Sequence, residues 1–120
     1  MGFGFKYAKG RQRPTPGQMN KTEVAYAQHL ELLKRADEIC CYAFEAVKLR
    51  LASNTFYTPD FLVMAADSTL EFHEVKGHWE DDARVKIKVA AEQFPMFRFI
   101  AVKPIAKRDG GGWSVEGFDR

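Results

Sequence analysis

The sequence has little cysteine and no long apolar run. Its two cysteines, Cys40 and Cys41, are adjacent, and neighbours in sequence rarely reach the Cα separation that a disulfide needs, so we expect buried thiols rather than a disulfide, a redox pair or a metal site. The longest wholly apolar run, Phe61 to Ala66, is far shorter than the roughly 18 residues of a membrane span, and no apolar stretch follows the basic start as in a signal peptide. We therefore expect a soluble cytoplasmic protein without a membrane partner.

The amino end lacks acidic residues. The whole chain is nearly balanced, with 18 Lys and Arg against 16 Asp and Glu in 120 residues, so its net charge does not by itself indicate a nucleic-acid partner. Before Thr22, however, every charged side chain is basic, namely Lys6, Lys9, Arg11, Arg13 and Lys21. Pro14, Pro16 and several glycines disfavour regular structure there. We predict a basic flexible arm over residues 1–19 and a single domain over residues 20–120, a size that suits one hydrophobic core.

Periodicity predicts the elements of that domain. Asn20 followed by Glu23 has the form of a capping box, so a helix should begin near Lys21 and end around Asp37 or Glu38. Glu23 shares one helical stripe with three apolar residues, Tyr26, Leu30 and Leu33. Residues 40–51 are predicted to form the first strand, followed by a turn or irregular link at Ser53 and Asn54 and by a new strand after Pro59.

The second half of the chain alternates strands with one further helix. We predict a hairpin of residues 60–64 and 70–76. A helix should follow over residues 80–93, with a buried face of Ala83, Ile87, Ala90 and Phe94. Two further strands are predicted over residues 97–102 and 113–118, the last at an edge of the sheet. A loose turn should cover residues 109–112. The resulting order, α-β-β-β-α-β-β, predicts an α/β (α+β) fold with a mixed central sheet flanked by helices.

Two carboxylates meet across the predicted hairpin. A turn centred on Asp67 pairs Met64 with Leu70 and Leu62 with Phe72, and it places Asp60 opposite Glu74 on the same face. Like charges directly across a hairpin repel, and they would be partly desolvated at the end of an apolar row, so a positive charge is expected between them. A divalent cation suits this position. Lys76 adds a separate positive charge on the same face.

The proposed ligands fit magnesium. Mg²⁺ prefers oxygen ligands, with one or two carboxylates from the protein and the rest from water and substrate phosphates. Asp60 and Glu74 supply the carboxylates, the backbone carbonyl of Val75 is the third expected ligand, and Mn²⁺ is expected to substitute. Such an ion stabilises charge on a phosphodiester, while Lys76 orients the nucleophile or stabilises the transition state. The pattern therefore predicts hydrolysis of phosphodiester bonds, with no organic cofactor.

These residues resemble the signature of the PD-(D/E)XK nuclease superfamily, in which a Pro-Asp on one strand and a Glu-x-Lys on the next build the site. The order of elements resembles the αβββαβ core of that superfamily, which is that of restriction endonucleases. Three stretches resemble small phage-encoded nucleases of the Holliday-junction-resolvase or endonuclease I type: Met19-Asn20-Lys21-Thr22-Glu23, Tyr57-Thr58-Pro59-Asp60-Phe61 and Phe72-His73-Glu74-Val75-Lys76-Gly77. The resemblance covers roughly residues 19–118.

The resemblance implies more than the residues alone do. A glutamate on the first helix joins the metal site in resolvase-like members, and Glu23 is the matching residue. Small members often cut branched DNA as homodimers, which implies a junction-resolving endodeoxyribonuclease active in DNA recombination, in the cytoplasm of the host cell if the chain is phage-encoded. The alternative enzyme nicks or cuts duplex or single-stranded DNA during phage replication, recombination or packaging.

Other interpretations remain open at this level. Asp60 and Glu74 could be solvated acids paired with lysines, Glu23 could serve only its helix, and the domain could be a catalytically silent DNA-binding module of the same fold. The histidines lack zinc-ligand spacing, and His73 should face away from Glu74. Basic residues of the arm and both helices are candidate phosphate contacts: Arg11, Arg13, Lys21, Arg84, Lys86 and Lys88.

Overall fold

A five-stranded mixed sheet forms the centre of the fold, with one helix on each face. The structure, a computed structural model, describes residues 17–77 and 81–118, so Arg11, Arg13 and most of the predicted arm lie outside the described residues. In chain order the elements are α1 (Lys21–Arg35), β1 (Ile39–Phe44), β2 (Leu49–Ala52), β3 (Thr55–Tyr57), β4 (Phe61–Ala65), β5 (Leu70–Val75), α2 (Asp81–Gln93), β6 (Arg98–Pro104), a short 3₁₀ helix (Lys107–Asp109) and β7 (Trp113–Gly117).

The sheet order is β1-β4-β5-β6-β7. Its strands pair antiparallel except for β5 and β6, which are parallel and are connected through α2. A parallel pair needs such a crossover because its strands run in the same direction. This arrangement confirms the predicted α+β class with a mixed central sheet. Within the part of the chain that the structure describes, no helix is long and apolar enough to span a membrane.

The first helix begins at the predicted capping box. Asn20 Oδ1 accepts a hydrogen bond from the Glu23 N–H at 2.8 Å, and Glu23 Oε1 accepts one from the Asn20 N–H at 2.9 Å. These two bonds satisfy backbone donors that the first turn of a helix leaves unpaired. Glu23, Tyr26 and Leu30 form the buried face of α1, as the stripe predicts.

The prediction of one strand over residues 40–51 is wrong. The chain leaves the main sheet at Glu45, whose backbone lies in the left-handed region with φ +48° and whose N–H donates to the Asp60 carbonyl at 2.8 Å. Beyond it, β2 and β3 form a separate two-stranded hairpin. Asn54 turns this hairpin with φ +55°, a conformation that asparagine tolerates better than most residues. Alternating apolar residues predict a strand but do not indicate which sheet it joins.

The prediction that the two cysteines are buried is also wrong. Cys40 and Cys41 lie on β1, which is an edge strand of the main sheet. Both side chains are exposed, and neither forms a disulfide. The local register shift between Ile39 and Cys41 turns the strand at this point. An edge strand covered on only one face exposes positions that a central strand would bury.

The hairpin of β4 and β5 has the predicted register. Met64 pairs with Leu70 and Leu62 with Phe72. Its turn is closed by a hydrogen bond from the Thr69 N–H to Asp67 Oδ1 at 3.0 Å, in the manner of an Asx turn. The turn thereby fixes which residues of the two strands face each other at the far end of the hairpin.

The carboxyl-terminal elements also follow the prediction. Helix α2 ends at Gln93, and β7 is an edge strand. The predicted loose turn before β7 contains Gly110, Gly111 and Gly112, with φ values of 111°, 70° and 79°. Three successive residues with positive φ favour glycine, because residues with a side chain are strained in this backbone conformation.

The core is divided into two clusters by the sheet. On one face α1 packs through Tyr26 and Leu30 against Phe61 and Val63. On the other face α2 and the β2–β3 hairpin cover the sheet together, and the buried residues there include Leu49, Leu51, Tyr57, Phe72, Ile87, Ala90 and Phe99. Because successive strand residues point to opposite faces, neighbouring side chains of β5 enter different environments.

Candidate metal centre

Asp60 and Glu74 meet at the end of the β4–β5 hairpin. Glu74 lies in β5 and is 7% exposed, whereas Asp60 directly precedes β4 and is partly buried. The Asp60 N–H donates to Glu74 Oε1 over 3.3 Å, which places the carboxylate of one residue against the backbone of the other. The predicted juxtaposition of the two acids across the hairpin is therefore present.

At Asp60, a side-chain oxygen takes the place of a backbone acceptor in the strand pairing. The Lys76 N–H donates to the Val102 carbonyl on β6, so the backbone groups of Val75 face the β4 side, since these groups alternate along a strand. Continued by two residues, the hairpin register brings Val75 opposite Pro59. Instead of a backbone carbonyl, Asp60 Oδ2 accepts the Val75 N–H at 2.8 Å.

Val75 thereby presents its carbonyl toward Asp60. In a regular antiparallel pair, the residue opposite would donate its N–H to this carbonyl. Proline has no N–H to donate, so Pro59 cannot do so. A backbone oxygen is thus available beside two carboxylates, which is the arrangement expected for the third protein ligand of a hard cation.

Glu74 is held by three donors. Its Oε1 accepts the Tyr57 hydroxyl at 2.7 Å in addition to the Asp60 N–H, and its Oε2 forms an ion pair with Lys76 Nζ at 3.1 Å. Lys76 retains 24% exposure of its side chain and can reach solvent. The predicted proximity of Lys76 to the acids is therefore present, and its first partner is Glu74.

Tyr57 is a site residue that the sequence prediction missed. It is buried at 8% exposure, and both burial and the neighbouring Glu74 charge raise the pKa of its hydroxyl well above its usual value. The phenol therefore remains a hydrogen-bond donor and fixes the orientation of the Glu74 carboxylate. Tyr57 lies two residues before Pro59 in the sequence. This position identifies it as a site residue only when β3 is known to pack over the same face of the sheet as Glu74.

The site carries more negative charge than its lysine balances. Burial, followed by the charge of Glu74, raises the pKa of the Asp60 carboxyl to about 9, while the Val75 N–H and Lys76 act in the opposite direction. Removing two carboxylates from water is unfavourable unless positive charge compensates them. A cation bound between the two acids would remove this imbalance.

Glu23 lies at the margin of this group. Its charge contributes to the raised pKa of Asp60, though less than burial or Glu74 does. One of its carboxylate oxygens is already bound to the Asn20 N–H in the capping box. Across residues 17–77 and 81–118, no three His, Cys, Asp or Glu side chains are gathered closely enough to hold a metal ion. Membership of Glu23 in a metal site thus stays a prediction.

The candidate phosphate contacts differ in their surroundings. Arg84 forms an ion pair with Glu116 of β7, with 2.6 Å between Nη1 and Oε2, so its charge is partly neutralised. The side chains of Lys21, Lys86 and Lys88 are exposed, and Lys86 Nζ lies 3.4 Å from the Phe56 carbonyl. The structure leaves these three lysines accessible to a polyanion.

His73 faces away from the acids, as predicted. Its Nδ1 lies 2.6 Å from the Tyr26 hydroxyl on α1, and its Nε2 lies 2.8 Å from Glu71 Oε1. The arrangement is satisfied if the tyrosine donates to Nδ1 and the protonated Nε2 donates to Glu71. The bond to Tyr26 ties β5 to α1, the bond to Glu71 lies within β5, and together they occupy both ring nitrogens.

The comparisons with known proteins found nothing similar to this chain. No family model matches it, and neither curated proteins nor solved structures gave a significant match. The function proposed below is accordingly based on the geometry of the site and on the resemblance of its residues to the PD-(D/E)XK signature.

Proposed function

We propose that this protein is a Mg²⁺-dependent endodeoxyribonuclease. One observation carries the proposal, namely the meeting of two carboxylates and a lysine at the end of one hairpin. There the Asp60 N–H donates to the Glu74 carboxylate, Asp60 Oδ2 accepts the Val75 N–H, and Lys76 pairs with Glu74. The same residues are those that resemble the PD-(D/E)XK signature. Their chemistry fits a hard divalent ion whose remaining ligands are water and phosphate oxygens.

Each residue has a distinct role in this proposal. Asp60, Glu74 and the Val75 carbonyl would hold Mg²⁺, for which Mn²⁺ would substitute, and the ion when bound supplies Lewis-acid stabilisation of the phosphodiester. Lys76, which pairs with Glu74 and is partly exposed, would place its ammonium group beside the attacking water or the developing negative charge. Tyr57 keeps the Glu74 carboxylate in position. Glu23 is the additional acid of the site.

The proposed substrate is branched DNA. This part of the proposal rests on the resemblance to junction-resolving nucleases, which also implies a homodimer in which each chain cuts one strand. The proposed phosphate contacts are one residue of α1, three residues of α2 and two of the arm: Lys21, Arg84, Lys86, Lys88, Arg11 and Arg13. A host-cell cytoplasm is the proposed location if the chain is phage-encoded.

The test is cleavage of an end-labelled four-way junction and a linear duplex of matched sequence, with Mg²⁺ and with EDTA. The native chain should make paired cuts in the junction with Mg²⁺ and none with EDTA, and Glu74→Gln should make none. Equal cutting of the duplex would mean that the substrate is DNA in general rather than a junction. A purified, folded chain that cuts no DNA with Mg²⁺ or Mn²⁺ would contradict the proposal and leave a DNA-binding module.

A further inference from the structure

The outer face of the β2–β3 hairpin carries an exposed aromatic residue. Residues Leu49, Leu51 and Tyr57 point inward and are buried, so the alternating positions face outward. Phe56 is one of these, with 41% exposure, and Arg50 is its partner across the hairpin. A large apolar side chain on the outside of a two-stranded hairpin makes no contribution to the core described above.

Three basic side chains surround Phe56. Lys48 Nζ lies 4.6 Å from the centre of its ring, Arg50 is its cross-strand partner, and Lys86 Nζ lies 3.4 Å from its carbonyl oxygen. No acidic residue occurs in residues 46–59. Among the residues that the structure describes, none of the three cations forms an ion pair with a carboxylate. The surface therefore combines an aromatic face with uncompensated positive charge.

This surface is joined to the candidate metal centre by one peptide bond. Tyr57 follows Phe56 directly and points the opposite way, where its hydroxyl holds Glu74. Lys86 of α2 binds the backbone at Phe56, and Gln93 of the same helix donates to the Leu51 carbonyl at 2.9 Å. The hairpin is thus hydrogen-bonded to α2 at two points, one on each strand. Phe56 precedes Asp60 by four residues, which span at most about 14 Å when fully extended, so a nucleic-acid strand at the centre can reach Phe56.

We propose that the surface formed by Lys48, Arg50, Phe56 and Lys86 binds unpaired nucleotides of the DNA substrate close to the scissile phosphate. Phe56 stacks on a base, and the three cations contact the flanking phosphates. This inference rests on the proposed nuclease function. It extends the branched substrate to forms with an unpaired strand, such as a flap, because a complete four-way junction has all its bases paired.

The combination of groups favours an unpaired strand over a plain duplex. Proteins that bind single strands combine a positive groove with aromatic side chains on which bases stack, an interaction that tolerates any sequence. In a duplex the base faces are already stacked, so Phe56 would meet only phosphate and sugar. Lys48 covers the ring in a cation–π contact, which is weak at an exposed site, so a base can replace it while the ammonium moves to a phosphate.

The experiment compares DNA binding by native and variant chains in EDTA, where cleavage is prevented. Dissociation constants are measured by fluorescence anisotropy for a duplex with a single-stranded flap and for the same duplex without one, at several salt concentrations. The variants are Phe56→Leu, Phe56→Tyr and the double substitution Lys48→Gln/Arg50→Gln. Lys34→Gln/Arg35→Gln, at the end of α1 on the opposite face of the sheet, is the matched charge control.

The expected results separate stacking from charge. Phe56→Leu should weaken binding of the flapped DNA roughly ten-fold and leave the blunt duplex unchanged, as removal of one stacking platform predicts, while Phe56→Tyr retains native affinity. The double substitution should reduce the slope of log affinity against log salt on the flapped DNA by about 1.4, or 0.7 for each lost phosphate contact. The α1 control should leave the slope unchanged.

Equal affinity of native protein and Phe56→Leu for the flapped DNA would overturn this inference, as would an equal loss of slope in the α1 control. Native protein that binds no DNA, or that binds only RNA of the same sequence, would also overturn it. Mg²⁺-dependent cleavage of the same DNA is measured in parallel. Cleavage that persists while the hairpin variants bind normally would leave the nuclease proposal intact and remove only the role of the hairpin.

Discussion

The two faces of the sheet bury polar clusters that differ in charge balance. On the α1 face, Tyr26, His73 and Glu71 form a chain of hydrogen bonds, and Arg98 lies 3.9 Å from Glu71, so one carboxylate meets one guanidinium. On the α2 face, Lys76 forms an ion pair with Glu74 and acts on Asp60 through its charge, and within residues 17–77 and 81–118 no other cation forms an ion pair with either acid. The two clusters are built on the same strand, from adjacent residues.

The two clusters differ in how ionisation of their carboxyl groups affects the stability of the folded chain. The pKa of Glu71 is lowered, mainly by its hydrogen bond to His73, so its charged form stabilises the folded chain. The pKa of Asp60 is raised, so its charged form destabilises it. Under the proposed function, this destabilisation is what a carboxylate placed to bind a metal ion would cause in the metal-free chain.

The largest expected effect separates the two glutamates of β5. Glu74→Gln should reduce Mg²⁺-dependent DNA cleavage by more than about 100-fold, because it removes the charge of a direct metal ligand. Glu71→Gln should leave cleavage within about two-fold at temperatures where both variants are folded, since glutamine can still accept the His73 bond. Single-turnover cleavage rates measure both, and similar losses in the two variants would contradict the assignment of the centre to the α2 face.

The second comparison separates the two roles of Glu23. Glu23→Gln keeps an oxygen for the Asn20 N–H but removes the charge, so cleavage should fall about ten-fold with little change in stability. Asn20→Ala should do the reverse, with a loss of about 1 kcal/mol of stability from the missing cap. Cleavage rates and denaturant unfolding measure the two effects. Unchanged cleavage by Glu23→Gln would restrict this residue to its helix cap.

The two buried tyrosines provide the next comparison. Tyr57→Phe removes a donor to Glu74, so the Mg²⁺ concentration for half-maximal cleavage should rise about ten-fold, with the maximal rate recovered at high Mg²⁺. Tyr26→Phe leaves His73 without its donor and should cost about 1 kcal/mol of stability without a change in Mg²⁺ requirement. Titration of the cleavage rate with Mg²⁺ distinguishes them, and an unaltered requirement in Tyr57→Phe would limit Tyr57 to packing.

The smallest expected effect concerns stability without metal. Between pH 3.8, the ordinary pKa of an aspartate, and its folded pKa of about 9, folding takes up a proton at Asp60, so this residue makes the folded chain less stable as the pH rises. Asp60→Asn should therefore raise the melting temperature in EDTA, by roughly 4 °C for a gain of about 1 kcal/mol, and more at pH 8 than at pH 5. Glu71→Gln should lower it. A gain that does not depend on pH would contradict this account.

The sequence predicts the local features of the fold better than its long-range pairings. The capping box and the hairpin register followed from short-range patterns, and with them came the meeting of Asp60 and Glu74. The division of residues 40–51 between two sheets did not, because it depends on a left-handed backbone at Glu45 and on space above the α2 face. Tyr57 was missed for the same reason, since its contact with Glu74 exists only once β3 packs there.

The most direct test of the central claim is a calorimetric titration of the DNA-free protein with Mn²⁺ in buffers of different ionisation enthalpy. The account predicts one ion per chain, release of about one proton at neutral pH because the pKa of Asp60 is raised and a metal ligand must be ionised, and loss of binding in Asp60→Asn. Native protein that binds no ion, or an Asp60→Asn variant that binds as the native chain does, would contradict it.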